Sequence, residues 1–187
     1  KRFTALLASG VLADVVDSNA DLTNREAVRT ALKLGAIMPD VFRLTVNYGQ
    51  TLEQMIAAGH YDWKDSDITT KRFPIIGKGV VEFEGRYFHF NRDISSENAI
   101  REIEAADTAN PWSAAKIEHV LSHGATFPEE QRKFPIVGLG SVAEVGGDRY
   151  VPGLLEDGSA RYLDLYWFVS GWNPICRFLA VRKVSVS

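Results

Sequence analysis

Three acidic side chains come closest to a metal-binding motif in this sequence. Asp62, Asp65 and Asp67 follow one another at short spacing, and hard cations such as Ca²⁺ are bound by several carboxylate oxygens. The glycine and the terminal glutamate that a calcium loop requires do not accompany them. We therefore interpret the stretch as a solvated loop in which the aspartates cap turns, and we expect no metal there.

The other residues whose types could support catalysis are also better explained by structural roles. His119 and His123 have the spacing of zinc ligands on a helix, but no glutamate follows His119 as it does in zinc proteases. A histidine in the last helical turn instead stabilises the helix dipole. Cys176 is the only cysteine, which excludes an internal disulfide and a cysteine-rich zinc site. Ser141 follows two glycines but does not lie in a nucleophile elbow. We expect no catalytic residue and no cofactor.

Composition narrows the class of protein. The chain has 187 residues, of which 45% are hydrophobic, so it can bury the core of one domain with a helical addition. Its net charge of −3 argues against a general nucleic-acid-binding protein, which needs a basic face for phosphates. No apolar run has the length of a membrane span. The cellular compartment does not follow from these features.

Helical signals dominate the first 78 residues. Thr23 and Glu26 fit a capping box, apolar residues follow at helical spacing, and Gly35 is a plausible stop. A second capping box, Thr51 to Gln54, predicts a short helix that ends at Gly59. We predict that residues 1–78 form a helical segment that packs on the core of the remaining chain.

Strand signals begin at Gly79. The later pattern predicts an α+β domain over residues 79–187, with two helices and a small, mostly antiparallel sheet. Its predicted helices are 97–106 and 114–123, the second of them stopped by Gly124. Its predicted strands lie around 79–90 and at 134–141, 149–155, 161–168 and 177–182.

One segment follows no period. Residues 169–176, between the last two predicted strands, mix apolar, small and polar types around Trp172. A tight hairpin would show turn residues, and a buried strand would show apolar continuity. The segment shows neither, so local structure alone does not explain its composition.

The order of elements over residues 79–182 resembles the C-type lectin fold, in particular its branch related to formylglycine-generating enzyme. In that branch, a helix-opening motif and a terminal strand bracket the core, and the matching positions are Ser113–His123 and Arg177–Arg182. The tail is similar to the variable proteins of diversity-generating retroelements, which end in spaced tryptophans followed by R-F-L-A-V-R. The corresponding residues are Trp167, Trp172, Arg177, Phe178, Leu179, Ala180, Val181 and Arg182.

This resemblance implies a hypervariable region over about 162–176. In such proteins a reverse transcriptase replaces adenines of the template, and randomised asparagine codons exclude Met, Trp, Gln, Lys and Glu. The implied ligand-binding positions, all of permitted types, are Asp164, Tyr166, Val169, Ser170, Gly171, Asn173, Pro174, Ile175 and Cys176. The implied scaffold is Trp167, Trp172 and Phe178, which we expect to be mostly buried, and Arg177, which we expect to bind an acid or backbone carbonyls.

The implied function is ligand binding by a receptor-like or adhesin-like protein of a phage or prokaryote. Its C-terminal surface would be diversified to recognise varying targets, which are proteins or other surface ligands. One alternative is a structural phage or virion component, such as a tail adhesin, without diversification. Another is an enzyme like formylglycine-generating enzyme, but that chemistry needs a pair of cysteines, and this chain has one.

Overall fold

A computed structural model describes residues 41–168 and 171–184. The helix predicted from Thr23 to Gly35 and two candidate residues, Val169 and Ser170, lie outside these ranges. The described part has three α-helices: α1 (Leu52–Ala58), α2 (Ser96–Ala105) and α3 (Ile117–Thr126). Its strands are β1 (Phe42–Asn47), β2 (Trp63–Lys64), β3 (Val80–Phe88), β4 (Ser113–Ala114), β5 (Ile136–Val137), β6 (Ala143–Val145), β7 (Asp148–Asp157), β8 (Ala160–Trp167) and β9 (Arg177–Lys183).

These strands form one mixed, open sheet, so the α+β prediction is confirmed. The order across it is β1-β3-β9-β5-β7-β8-β2, with β4 added to β9 and β6 added to β7. Most pairs are antiparallel, but β5 runs parallel to β9 and β2 runs parallel to β8. The first and last strands predicted for residues 79–182 pair directly, because β3 is antiparallel to β9.

Different elements cover the two faces of the sheet. Strand alternation directs Tyr87 of β3 to one face and Phe88 to the other. On the first face, the helix α3 packs against β3, since the rings of His123 and Tyr87 are 5.5 Å apart. On the opposite face, Trp172 of the loop between β8 and β9 lies against Phe178 of β9, which is paired with Phe88. The loop and α3 therefore cover opposite faces.

The sheet also includes a strand that the sequence pattern did not reveal. We predicted a helical segment up to residue 78, but β1 lies in this range and pairs antiparallel with β3. Its side chains alternate between buried and exposed, with Phe42, Leu44 and Val46 in the core. The chain divides into compact units at residues 40 and 41, so β1 and α1 belong with the later elements. The capping box at Thr51 is present in α1, and Gly59 is its C-cap as predicted.

The third helix starts and ends later than predicted. We expected a helix over 114–123 that Gly124 stops, but α3 runs from Ile117 to Thr126 and includes Gly124. Residues Ser113 and Ala114 instead form β4, paired with Val181 and Ala180 of β9. Proline is favourable in the first turn of a helix, and Pro111 precedes this segment, but pairing with a central strand overrides this local preference.

The remaining predictions agree in part. The predicted strand over 134–141 is regular only at β5, whereas β7, β8 and β9 lie close to their predicted positions. The loop predicted over His60–Ile68 contains the short strand β2. In the described residues, no helix has the length and apolar character needed to cross a bilayer.

Candidate functional site

Trp172 anchors the loop between β8 and β9. Its backbone forms an antiparallel bridge with Ile94: the Trp172 N–H donates to the Ile94 carbonyl at 2.8 Å, and the Ile94 N–H donates back at 3.1 Å. The indole is 4% exposed, and its Nε1–H donates to Ser96 Oγ at 2.9 Å. Ser96 Oγ in turn donates to the carbonyl of Phe168, at the start of the loop. One side chain and its backbone thus fix the middle of the loop to the N-terminus of α2.

Arg177 holds the end of the loop, as predicted. Its Nη1 donates to the carbonyls of Pro174, Ile175 and Cys176 at 3.2, 3.1 and 3.3 Å. The guanidinium also lies 4.9 Å from the centre of the Phe134 ring. Since these contacts use backbone oxygens, they place no requirement on the side chains at 174–176.

Four of the candidate residues form an exposed, contiguous surface. Ile175 is 59% exposed, and Gly171, Asn173 and Pro174 are exposed as well. A Cβ atom at Gly171 would have no heavy atom within 4 Å, so this position has room for a side chain. His89 reaches this surface through a 2.8 Å hydrogen bond between its Nε2 and the Pro174 carbonyl. We call these four residues the loop surface.

Three other candidates are not free surface residues. Cys176 is only 7% exposed and packs in the cluster around Trp172 and Phe178, so our expectation that it is a surface position is wrong. Burial raises the pKa of its thiol. Tyr166 is partly buried, with its ring over Gly153 and 5.6 Å from that of Trp172. The sequence provides no signal for the burial of Cys176, because a loop without periodicity does not assign its residues to a face.

Asp164 is also partly buried. Its Oδ1 accepts from the Leu165 N–H at 2.8 Å. Burial, and secondarily the nearby charge of Asp65, raise the pKa of this carboxyl group. Asp164 therefore lies along β8 rather than on the loop surface.

The scaffold prediction holds for two aromatic residues and fails for one. Phe178 is 1% exposed and Trp172 is 4% exposed, as predicted. Trp167 is 50% exposed, so the prediction that it is mostly buried is wrong. It ends β8 opposite Tyr150, on the same face as the buried Leu163, so the packing on this face does not extend to the end of the strand.

The two histidines of α3 have structural positions. His119 Nδ1 accepts the Lys116 N–H at 3.0 Å and so satisfies a backbone donor at the start of the helix. His123 is fully buried, with Nε2 2.5 Å from the Tyr87 hydroxyl. Burial lowers the pKa of His119 to about 4 and that of His123 to about 3, so both rings are neutral at pH 7. Within the described residues, His119 Nε2 and His123 Nδ1 have no hydrogen-bond partner.

The three aspartates make different contacts. Asp65 accepts the Asp67 N–H at 2.7 Å, Asp67 forms an ion pair with Arg72, and Asp62 accepts the N–H of Arg161 on β8 at 2.7 Å. Asp65 thus caps a turn of the loop as the interpretation expects, whereas Asp62 joins the loop to a distant strand.

Arg161 is a structural centre that the sequence did not identify. Its guanidinium is buried and donates to the carbonyls of Gly59 and Gly124 and to Gln131 Oε1. It also lies over the Tyr61 ring at 5.1 Å. These contacts join α1, α3 and β8. Only the alternation of β8 could have indicated an inward-facing residue at 161.

The comparisons with known proteins add no relative to these observations. Searches against family models, curated proteins and solved structures find no match for this chain. The described part of the loop is held by backbone contacts, by the Trp172 indole and by the Arg177 guanidinium, and among its exposed side chains Asn173 adds one contact to the Ile175 N–H. Such a surface is suited to binding.

Proposed function

We propose that this chain is a ligand-binding protein whose recognition surface is diversified at the loop before β9, and that it is not an enzyme. In this proposal the domain has a C-type-lectin-like fold, and the target is a protein or another surface ligand. The antiparallel pairing of β3 with β9, with α2 and α3 between them in sequence, supports the fold.

One observation carries the functional part. The loop is held by the Trp172 backbone bridge, by its indole and by the Arg177 guanidinium on backbone carbonyls. None of these contacts uses the side chain of Gly171, Pro174 or Ile175. A scaffold that tolerates replacement at its binding surface must take little stability from those positions. Loop residues presented by a rigid framework are also the usual location of binding function.

We narrow the proposed variable positions to the loop surface, which comprises Gly171, Asn173, Pro174 and Ile175. Tyr166 and Cys176 pack in the cluster around Trp172, which restricts their replacement, and Asp164 lies along β8 outside the loop surface. Asn173 is intermediate, because its Oδ1 accepts the Ile175 N–H at 3.0 Å. Trp167, although exposed, is a residue type that asparagine-codon randomisation does not produce, and it belongs to the fixed part of the proposal.

A pair of libraries tests this proposal. The first randomises the four loop-surface positions to the residue types that randomised asparagine codons allow. The matched control randomises Trp172, Cys176, Phe178 and Ala180, four buried positions of the same region. We expect most members of the first library to survive protease selection for folding, and few members of the second.

Binding and genomic observations complete the test. Selection of the first library against an arbitrary folded protein should yield binders that keep the parental melting temperature. The DNA beside the gene should contain a reverse-transcriptase gene and a near-repeat of the segment that encodes Arg161–Arg182. If the two libraries unfold to the same extent, the loop surface is part of the core and diversification there is excluded.

A further inference from the structure

The edge of the sheet at β2 and β8 carries a second group of side chains outside the loop surface. Trp63 and Tyr162 are paired in the parallel register of these strands, and their rings are 5.3 Å apart with a 37° angle between planes. Trp63 remains 44% exposed and Tyr162 is partly exposed. This aromatic pair at the outermost strand is therefore in part accessible to solvent.

Two carboxylates follow on the same face. Lys64 is paired with Leu163, and the Asp65 N–H continues the ladder by donating to the Leu163 carbonyl at 2.9 Å. Because strand side chains alternate, Asp65 and Asp164 share the face of Trp63 and Tyr162. This register places Asp65 beside Asp164, and the charge of Asp65 contributes, after burial, to the raised pKa of Asp164.

No cation of the described chain neutralises this group. The ion pairs formed by residues 41–168 and 171–184 include neither Asp65 nor Asp164. The Lys64 ammonium donates to the Asp65 main-chain carbonyl at 3.3 Å, and its charge also acts on Glu53, but it forms no ion pair with the Asp65 carboxylate. Arg72, the other nearby cation, is paired with Asp67.

We propose that Trp63, Tyr162, Asp65 and Asp164 form a binding site for an arginine side chain of a protein partner. The charge complementarity is direct, since two carboxylates that form no ion pair within residues 41–168 and 171–184 lie beside two rings that are at least partly exposed. A cation over an aromatic face is attracted by the ring quadrupole. The planar guanidinium can stack on a ring while it donates to carboxylate oxygens, which a lysine ammonium cannot do. A bound guanidinium also relieves the repulsion between the two carboxylates.

This site does not depend on diversification of the loop surface. All four of its residues lie on β2, on β8 or directly after β2, and the regular ladder fixes them. The proposed arginine site is therefore the same whatever the residues of the loop surface are, and the proposed variable contacts lie on the loop surface.

Nuclear magnetic resonance of the indole N–H groups tests the proposal. The chain has four tryptophans, and the variant Trp63→Phe assigns the signal of Trp63. The probe is N-acetyl-arginine amide, and its matched control is N-acetyl-citrulline amide, which has nearly the same shape without the charge. We expect the arginine probe to shift the Trp63 signal with a dissociation constant on the order of millimolar, typical of one exposed cation–π and ion-pair contact. The citrulline probe should leave the signal unmoved.

A double variant locates the charges. Asp65→Asn with Asp164→Asn keeps both oxygens that accept backbone N–H groups but removes both charges, and we expect roughly tenfold weaker binding of the arginine probe. The matched control, Asp157→Asn, changes an exposed acid at the turn between β7 and β8 and should not alter binding. Equal shifts by both probes, no shift of the Trp63 signal, or unchanged affinity in a folded double variant would each overturn the proposal. Variants of the loop surface should keep arginine binding, so failure of diversification and failure of this site give different results.

Discussion

The loop before β9 and the helix α3 cover opposite faces of one sheet, and they differ in what holds them. In α3, seven of ten residues are buried, including Glu118, His119 and His123. In the described part of the loop, from Gly171 to Cys176, only Trp172 and Cys176 are buried. These described residues are nevertheless held in place, because backbone hydrogen bonds and one indole replace most side-chain packing. A segment of this domain can therefore hold a fixed conformation without depending on the identity of most of its side chains.

The largest expected effect in this contrast concerns two tryptophans, Trp172 within the loop and Trp167 at the end of β8. Trp172→Ala removes a buried indole and its hydrogen bond to Ser96, and we expect a loss of about 3–5 kcal/mol in the free energy of unfolding. Trp167→Ala removes a half-exposed ring and should cost much less. Denaturant unfolding of both variants measures the difference. Similar losses would show that the anchor is not specific to Trp172.

The next test uses the buried histidines on the other face. Burial lowers the pKa of His123 to about 3 and that of His119 to about 4, below the value of about 6.5 in an unfolded chain. Between these values the unfolded state binds more protons than the folded state. Stability from these neutral rings is thus complete above about pH 6.5 and is lost as pH falls toward 4 and 3.

We expect the free energy of unfolding to fall by up to about 1.4 kcal/mol per pH unit for each histidine in this window. Denaturant unfolding at pH 7 and pH 4.5 measures this slope. His123→Met should reduce it, whereas Ile175→Thr in the loop should leave it unchanged. A slope that survives in the double variant His119→Met with His123→Met must come from other groups.

A third test compares two positions within the loop. Cys176→Asp places a carboxylate in the cluster with Trp172 and Phe178, and we expect a loss of about 1–3 kcal/mol. Asn173→Asp puts the same carboxylate on the loop surface and keeps the acceptor for the Ile175 N–H, so it should be nearly neutral. Thermal unfolding of both variants at pH 7 checks this. If both variants are equally stable, Cys176 belongs with the variable positions after all.

The sequence predicted those parts of the fold that depend on local pattern. Alternation located β7, β8 and β9, and the Thr51 capping box located α1. The local pattern failed where pairing with a distant strand determines the structure, because Ser113 and Ala114 join β9 instead of opening α3. Trp167 was expected inside because the resemblance assigns it to the scaffold. Alternation could not correct this expectation, since it gives only relative faces and does not tell where the covering layer ends.

The candidate site shows the same limit. Trp172 and Arg177 could be predicted as fixed points because their types stand out in a segment without period. The burial of Cys176 could not be predicted, since no periodicity assigns it to a face. The Trp63 and Tyr162 pair joins residues that are far apart in sequence, and only the parallel register of β2 and β8 brings them together.

The smallest expected effect gives the strictest test of the comparison between the loop and α3. Ile175 is a large apolar residue that is 59% exposed, and its main-chain carbonyl is held by Arg177. Ile175→Thr and Ile175→Ser should therefore change the free energy of unfolding by no more than about 0.5 kcal/mol, as for other surface positions. The matched change in α3 is Val120→Thr, at a residue that is fully buried, where a hydroxyl replaces a packed methyl and should cost more than 1 kcal/mol. Denaturant unfolding of the three variants gives the ratio of the two costs. A ratio near one would mean that the loop depends on its side chains as α3 does, because its backbone contacts would then be insufficient to hold it.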